Sequence, residues 1–390
     1  MTPQTLSSIQ ETEARYTSGV YAKRGLTIVR GEGALLFDEQ GQAYIDCVGA
    51  QGAANLGHAH PAVAAAIAEQ ARTLISCPES FYNDRRARLL ERLVALAPPG
   101  MERVFLCNSG TEAVEAAIKF ARYATGRSGI VAAMRGFHGR TLGALSATWN
   151  KKYRQPFQPL VPGFTHVPYN NLPRLEQAVD ENTAAVLLEV VQGEGGVHPG
   201  SAAFLLGAQQ LCRERGALLV IDEVQTGFGR TGRMFALEHH GLQPDLCTLA
   251  KSMGGGVPLG AVLIGERVGK LPPGIHGSTF GGNPLSAAAG LAALEVLVEE
   301  DLPGRAAELG AYLIERLSGL ESPLVREVRG MGLMIGIEIR KKVAPYLQAL
   351  AGRGVLALPA GMTVIRLLPP LVITREQVDQ VVEALAEVLG

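Results

Sequence analysis

Ala217-Leu218-Leu219-Val220-Ile221-Asp222, continuing into Glu223-Val224-Gln225-Thr226-Gly227, is the stretch from which the architecture follows. Five apolar residues without alternation read as a strand buried on both faces, as in a parallel sheet covered by helices. Such a strand ends by delivering a carboxylate, Asp222, to the edge of the sheet. Twenty-nine positions on, a second apolar run, Leu246–Ala250, delivers Lys251 ahead of Ser252-Met253 and the glycines Gly254-Gly255-Gly256. A lysine so placed is a candidate Schiff-base nucleophile, with Asp222 as a buried counter-charge.

Outward from this pair, Gly129–Ala133 and Ala184–Val190 read as further strands, and helical stretches alternate with them, which predicts an α/β fold with a mostly parallel sheet. Residues 56–283 are expected to form this large domain and residues 284–390 a smaller α+β domain. Residues 1–55 should join the small domain, with strands at Leu35-Leu36-Phe37 and Ala43-Tyr44-Ile45 around the turn Asp38-Glu39-Gln40-Gly41. The apolar stretch Leu285–Leu294 is too short to span a bilayer and reads as a helix joining the domains. The last helix should open on a capping box, Thr374-Arg375-Glu376-Gln377, with Val378, Val381, Val382 and Leu385 as its apolar stripe.

A third site element precedes these. Arg103–Cys107 reads as a strand, and Asn108-Ser109-Gly110-Thr111 turns into a helix beginning near Glu112 with Val114, Ala117, Ile118 and Ala121 on one face. Free N–H groups at that helix start suit a phosphate, although Ser109 or Thr111 would serve equally as a plain N-cap. Amine, strand-end carboxylate and phosphate turn together meet the needs of pyridoxal 5'-phosphate. The lysine amine engages its aldehyde, the carboxylate keeps its ring nitrogen protonated, and the helix start holds its phosphate.

Beyond these elements, Asn55-Leu56-Gly57-His58, Asn108–Glu112, Phe137-His138-Gly139-Arg140-Thr141, Gln192-Gly193-Glu194-Gly195-Gly196, Asp222–Gly227, Ala250-Lys251 and Gly277–Pro284 form an ordered set. The set resembles the class III aminotransferases of fold type I over nearly the whole chain, from about Gly19 to Leu389. It is similar to the acetylornithine aminotransferase group. Ser18–Tyr21, Tyr44–Gly49 and Pro359–Pro370 resemble the LysW-γ-L-lysine aminotransferases, which act on an amino acid carried by a small protein, LysW. The resemblance implies a seven-stranded-type sheet in the large domain and a homodimer with shared active sites. It implies Lys251 as cofactor anchor and proton-transfer group, Asp222 at the ring nitrogen, and Gln225 near the ring hydroxyl. Val224 and Phe137 would cover the two ring faces. Ser109, Gly110 and Thr111 would hold the phosphate, and Thr279 would reach across from the partner subunit.

For the substrates, the resemblance implies Arg140 on one carboxylate and Arg366 on the α-carboxylate of glutamate or 2-oxoglutarate. Glu194 would pair with Arg366 until that cosubstrate arrives, and Ser278 would lie on the substrate's path, with Tyr21 a further candidate at the entrance. Arg366 sits in an apolar run, Val364-Ile365-Arg366-Leu367-Leu368, where a buried cation needs a carboxylate nearby. The implied activity is transfer of the terminal amino group between LysW-linked lysine and 2-oxoglutarate. N-acetylornithine aminotransfer is the alternative, and a non-catalytic cofactor-binding protein stands further off.

The composition agrees with a compact enzyme: 390 residues, 47% hydrophobic, 19% charged and a net charge of −1, which speaks against disorder or a nucleic-acid partner. Met1–Gln10 lacks a leader pattern, and five scattered cysteines without a C-x-x-C pair suggest reduced thiols in a cytoplasm rather than disulfides or zinc. No metal site is expected, and His58 and His60 read as a polar turn before a helix more readily than as ligands. Lys151-Lys152-Tyr153-Arg154 and Arg85-Arg86-Ala87-Arg88 offer basic surface for an acidic carrier. No glycine cluster matches a nucleotide-binding motif.

Overall fold

The computed structural model describes residues 8–390; of the Met1–Gln10 segment only the last three residues fall inside it. At its centre is a seven-stranded sheet: β1 (Met101–Cys107), β2 (Gly129–Ala133), β3 (Phe164–Val167), β4 (Thr183–Leu188), β5 (Leu218–Asp222), β6 (Leu246–Leu249) and β7 (Gly260–Gly265). Their spatial order is β3-β2-β4-β5-β6-β7-β1. Only β7 runs antiparallel to its neighbours. Every residue of β4, β5, β6 and β7 is buried, which is why these strands are continuous apolar runs.

A second, four-stranded antiparallel sheet comprises Val325–Met331, Met334–Ile339, Val364–Leu367 and Leu358–Ala360 in that order. A third joins Ile28–Glu32, Leu35–Asp38 and Ala43–Asp46 to Val355–Leu356 from the far end of the chain. In the chain, the helix Pro284–Glu299 follows the last strand of the first sheet and precedes the second, and it is buried along most of its length. The closing helix Arg375–Leu389 has the expected capping box, with Thr374 and Gln377 exchanging hydrogen bonds. No helix among the described residues is long and apolar enough to cross a membrane.

Two local expectations are corrected. The helix after β1 begins at Gly110, two residues ahead of Glu112, because Ser109 caps it by accepting from Glu112 N. Arg86 is not basic surface: it is buried and donates to the carbonyls of Cys77, Phe81 and Gly282.

Candidate active site

The sheet brings distant residues together at the carboxyl ends of its strands, where open α/β sheets bind ligands. β5 and β6 are parallel neighbours with Asp222 opposite Thr248, so Asp222 and Lys251 become neighbours at one edge. To the same edge β1 brings Ser109, Gly110 and Thr111, β2 brings Phe137, His138 and Arg140, and β4 brings Glu189 and Glu194. These residues, with Val224 and Gln225, line one cavity of about 430 Å³.

Asp222 is fixed from both oxygens. Its Oδ1 accepts from Val224 N at 3.0 Å and Thr248 Oγ1 at 3.1 Å, and its Oδ2 lies 2.7 Å from His138 Nδ1. Burial alone would lower the His138 pKa, but the hydrogen bond and charge of Asp222, with Glu189, outweigh it and hold the imidazole above its ordinary value. Glu189, close behind this pair, is pushed up to about 8, chiefly by burial. Its Oε2 accepts from Phe137 N at 3.3 Å.

Lys251 stands on the cavity wall with φ +49°, a left-handed conformation that few non-glycine residues adopt. Desolvation lowers its pKa, against the opposing pull of Glu194 and Asp222. Facing it is a second strained segment, Gly49–Gly52, whose four residues all have positive φ. All four of its carbonyls are used: Gly49 O accepts from the backbone N–H groups of Ala53 and Ala54, Ala50 O from that of Ala53, Gln51 O from Gln225 Nε2 and Gly52 O from Ser252 Oγ. Each non-glycine residue there carries strain of about 1–2 kcal/mol, held by that packing.

Arg366 is 1% exposed and stands behind the cavity wall. Its Nη2 donates to Glu194 Oε1 at 2.6 Å and its Nη1 to Gln225 Oε1 at 3.1 Å. Arg140 is exposed and lies 3.6 Å from the ring centroid of Tyr153 and 5.9 Å from that of Phe137. Ser278 and Thr279 do not line this cavity. They border a neighbouring cleft, where Ser278 Oγ accepts from Asn108 Nδ2. Tyr21 is exposed and outside the lining. His58 pairs with Asp46 at 2.7 Å, and His60 precedes the helix Pro61–Thr73. Among the described residues no cluster could hold a metal ion.

Sequence reading assigned no role to His138, Glu189 or Tyr153. The signal was present for Glu189, another carboxylate at the end of an apolar strand. His138 required knowing that residues 84 apart meet.

The amino-acid sequence from residue 18 to residue 389 matches the family model for class-III aminotransferases. The chain belongs to that family. Its members are pyridoxal-phosphate-dependent transaminases, and so is this protein. It is 54% identical over 382 residues to the LysW-aminoadipate semialdehyde transaminase of Deinococcus radiodurans, covering 97% of this chain and 89% of that one. It is 47% identical to the acetylornithine aminotransferase of Methanothermobacter thermautotrophicus, covering 98% of both. Among solved structures, the ornithine aminotransferase of Toxoplasma gondii superposes with a TM-score of 0.94 at 34% identity, over 99% of this chain and 96% of that one. A second structure of that enzyme carries PLP at partial occupancy in its active site.

The residues present fit the cofactor. Lys251 offers a desolvated amine and Asp222 a buried, oriented carboxylate. Gly110 leaves the helix start bare beside Val224, where a Cβ would come within 2.7 Å of that side chain. When bound, pyridoxal phosphate supplies the electron sink and the carrier for the amino group.

Proposed function

We propose that this enzyme moves the terminal amino group between LysW-linked lysine and 2-oxoglutarate in lysine biosynthesis, with glutamate as donor in the biosynthetic direction. The observation that carries the reading is the buried Arg366 paired with Glu194 at the wall of the cavity that holds Lys251. An arginine fork suits a carboxylate, and Glu194 stands in for one until a dicarboxylate displaces it. The names of relatives at 54% and 44% identity, both LysW-linked semialdehyde transaminases or described as putative ones, support the carrier-bound substrate.

In this reading Lys251 anchors the cofactor and moves the proton, and Asp222, oriented by His138, holds the proton on the ring nitrogen. Gln225 lies by the ring hydroxyl, Val224 and Phe137 enclose the ring, and Ser109, Gly110 and Thr111 hold the phosphate at the helix start. Arg140 takes the carboxylate of the amine substrate at the open end. Ser278 and Thr279, which lie outside this chain's own cavity, serve a second copy in a homodimer. Exposed Phe81, Tyr82 and Phe280 support such a contact. A cytoplasmic setting agrees with five free cysteines.

Acetylornithine aminotransfer is the second reading, supported by relatives at 44–47% identity. Half-reactions separate the two. The absorbance of the lysine-bound cofactor is followed while glutamate, N-acetylornithine and LysW-linked lysine are added in turn. Faster conversion by the carrier-linked substrate is expected, and preference for N-acetylornithine would move the enzyme to arginine synthesis.

A further inference from the structure

Glu194 sits on a short turn, Gly193–Val197, with an unusual backbone. Gly196 has φ +119° and Val197 φ +54°. The latter lies in the left-handed region that β-branched residues rarely enter. Val197 is nonetheless fully buried.

Besides its own backbone hydrogen bond to Gly193 O, two contacts from the second sheet hold it there. The first is the guanidinium of Arg329, a side chain 8% exposed. Its Nε donates to the carbonyls of Gly196 and Val197, both at 3.0 Å, and its Nη2 to Gly196 at 2.7 Å. Its Nη1 is held at 2.7 Å by each of Glu327 and Glu338. The second contact is Gly336, where a Cβ would come within 2.9 Å of Val197 Cβ.

The register explains why these contacts matter to the site. Gly336 is opposite Arg329 on one side and opposite Arg366 on the other. Directly opposed residues in antiparallel strands point to the same face. Arg329 and Arg366 therefore flank a gap left by glycine, and Val197 fills it. The turn that carries Glu194 is clamped by one arginine of the row and delivers its carboxylate to the other.

We propose that Arg329 is a positioning residue that keeps the Gly193–Val197 turn in place, and so sets how often Arg366 is free for a dicarboxylate. The inference rests on the reading of Arg366 as the cosubstrate's carboxylate site. Glu194 and an incoming carboxylate compete for one guanidinium, so apparent affinity falls with the fraction of Arg366 that is uncovered. Loosening the turn raises that fraction without touching Lys251 or Asp222.

The test is calorimetric binding of glutarate, an unreactive dicarboxylate, to cofactor-loaded protein. Arg329→Gln is expected to bind glutarate about three- to tenfold more tightly. The glutamate half-reaction should show a lower KM at unchanged kcat. Arg329→Lys, which keeps the charge without the planar fork, should fall between. In a Glu194→Ala background the Arg329 substitution should have no further effect. Unchanged glutarate affinity in Arg329→Gln, or an undiminished effect in the Glu194→Ala background, overturns the proposal. If Glu194→Ala alone leaves glutarate binding unchanged, the reading of Arg366 fails instead. Should Arg329→Gln fail to fold, Val197→Ala keeps a Cβ in the left-handed region but removes most of the seat on Gly336 while sparing Arg329. It should tighten glutarate binding in the same direction, and unchanged affinity there overturns the proposal equally.

Discussion

Two arginines flank the cavity under opposite conditions. Arg366 comes from an antiparallel strand, is 1% exposed and has both ends of its guanidinium engaged by Glu194 and Gln225. Arg140 follows β2, is exposed and lies against the Tyr153 ring with no carboxylate partner among the described residues. A buried cation needs its donors satisfied, by carbonyls as at Arg86 or by a carboxylate, and at Arg366 the carboxylate of Glu194 does so. An exposed cation over an aromatic ring stays solvated and needs no such partner. In the proposed reading, one end of the site is a latched socket for a single small dicarboxylate, and the other an open contact that tolerates a bulky substrate.

The largest expected effect tests the socket. Arg366→Lys loses the fork that meets a carboxylate with two hydrogen bonds, a change of about 3 kcal/mol, so kcat/KM for glutamate should fall roughly 100-fold. The amine-substrate half-reaction should change far less. Equal losses in both half-reactions would break the division between the two ends. At the open end, Arg140→Leu should raise KM for the amine substrate about fivefold, with little change for glutamate, since an exposed charge contact contributes only about 1 kcal/mol.

Behind the Asp222–His138 pair, Glu189 gives the interior of the site a titration signature of its own. Burial raises the Glu189 carboxyl from its usual 4.5 to about 8, so the folded protein holds this proton more tightly than the unfolded chain. The associated stability is complete below the unfolded pKa and is lost as pH rises through the folded one. Glu189→Gln removes that dependence. Between about pH 5 and about pH 8 the Tm of the variant should therefore gain steadily on that of the wild type. Parallel Tm profiles would show that Glu189 does not titrate in this window.

Much of the socket was legible in the sequence because burial leaves a compositional trace. β5 and β6 announce themselves as unbroken apolar runs, and Arg366 stands out because its neighbours Val364, Ile365, Leu367 and Leu368 predict a buried cation. What stayed hidden depends on chain path rather than composition. The His138–Asp222 pair joins residues 84 apart, and the three carbonyls that hold Arg86 come from two loops far apart in the chain, Cys77 and Phe81 from one and Gly282 from the other. The left-handed Gly49–Gly52 segment contains Ala50 and Gln51, whose side chains give no hint of positive φ. The open end was the least legible, since nothing in spacing shows that Arg140 will lie on Tyr153 rather than on an acid.

That contact gives the smallest effect its meaning. Tyr153 belongs to the short helix Lys151–Arg154, so the ring beneath Arg140 is followed outward by the exposed Lys151 and Lys152. Within the same helix Arg154 is only half-buried, which leaves the two lysines as the better candidates for meeting a large acidic partner. Rim charges act mainly on encounter and are screened by salt, so reversing both should have a modest effect. Lys151→Glu with Lys152→Glu is expected to raise KM for LysW-linked lysine about threefold at low ionic strength, with the difference fading as salt is added. The KM for N-acetylornithine, which is small enough to bypass the rim, should not move. An equal rise for both substrates would mean that the helix acts through Tyr153 and Arg140 alone. The open end would then be a second small-molecule socket rather than a docking edge.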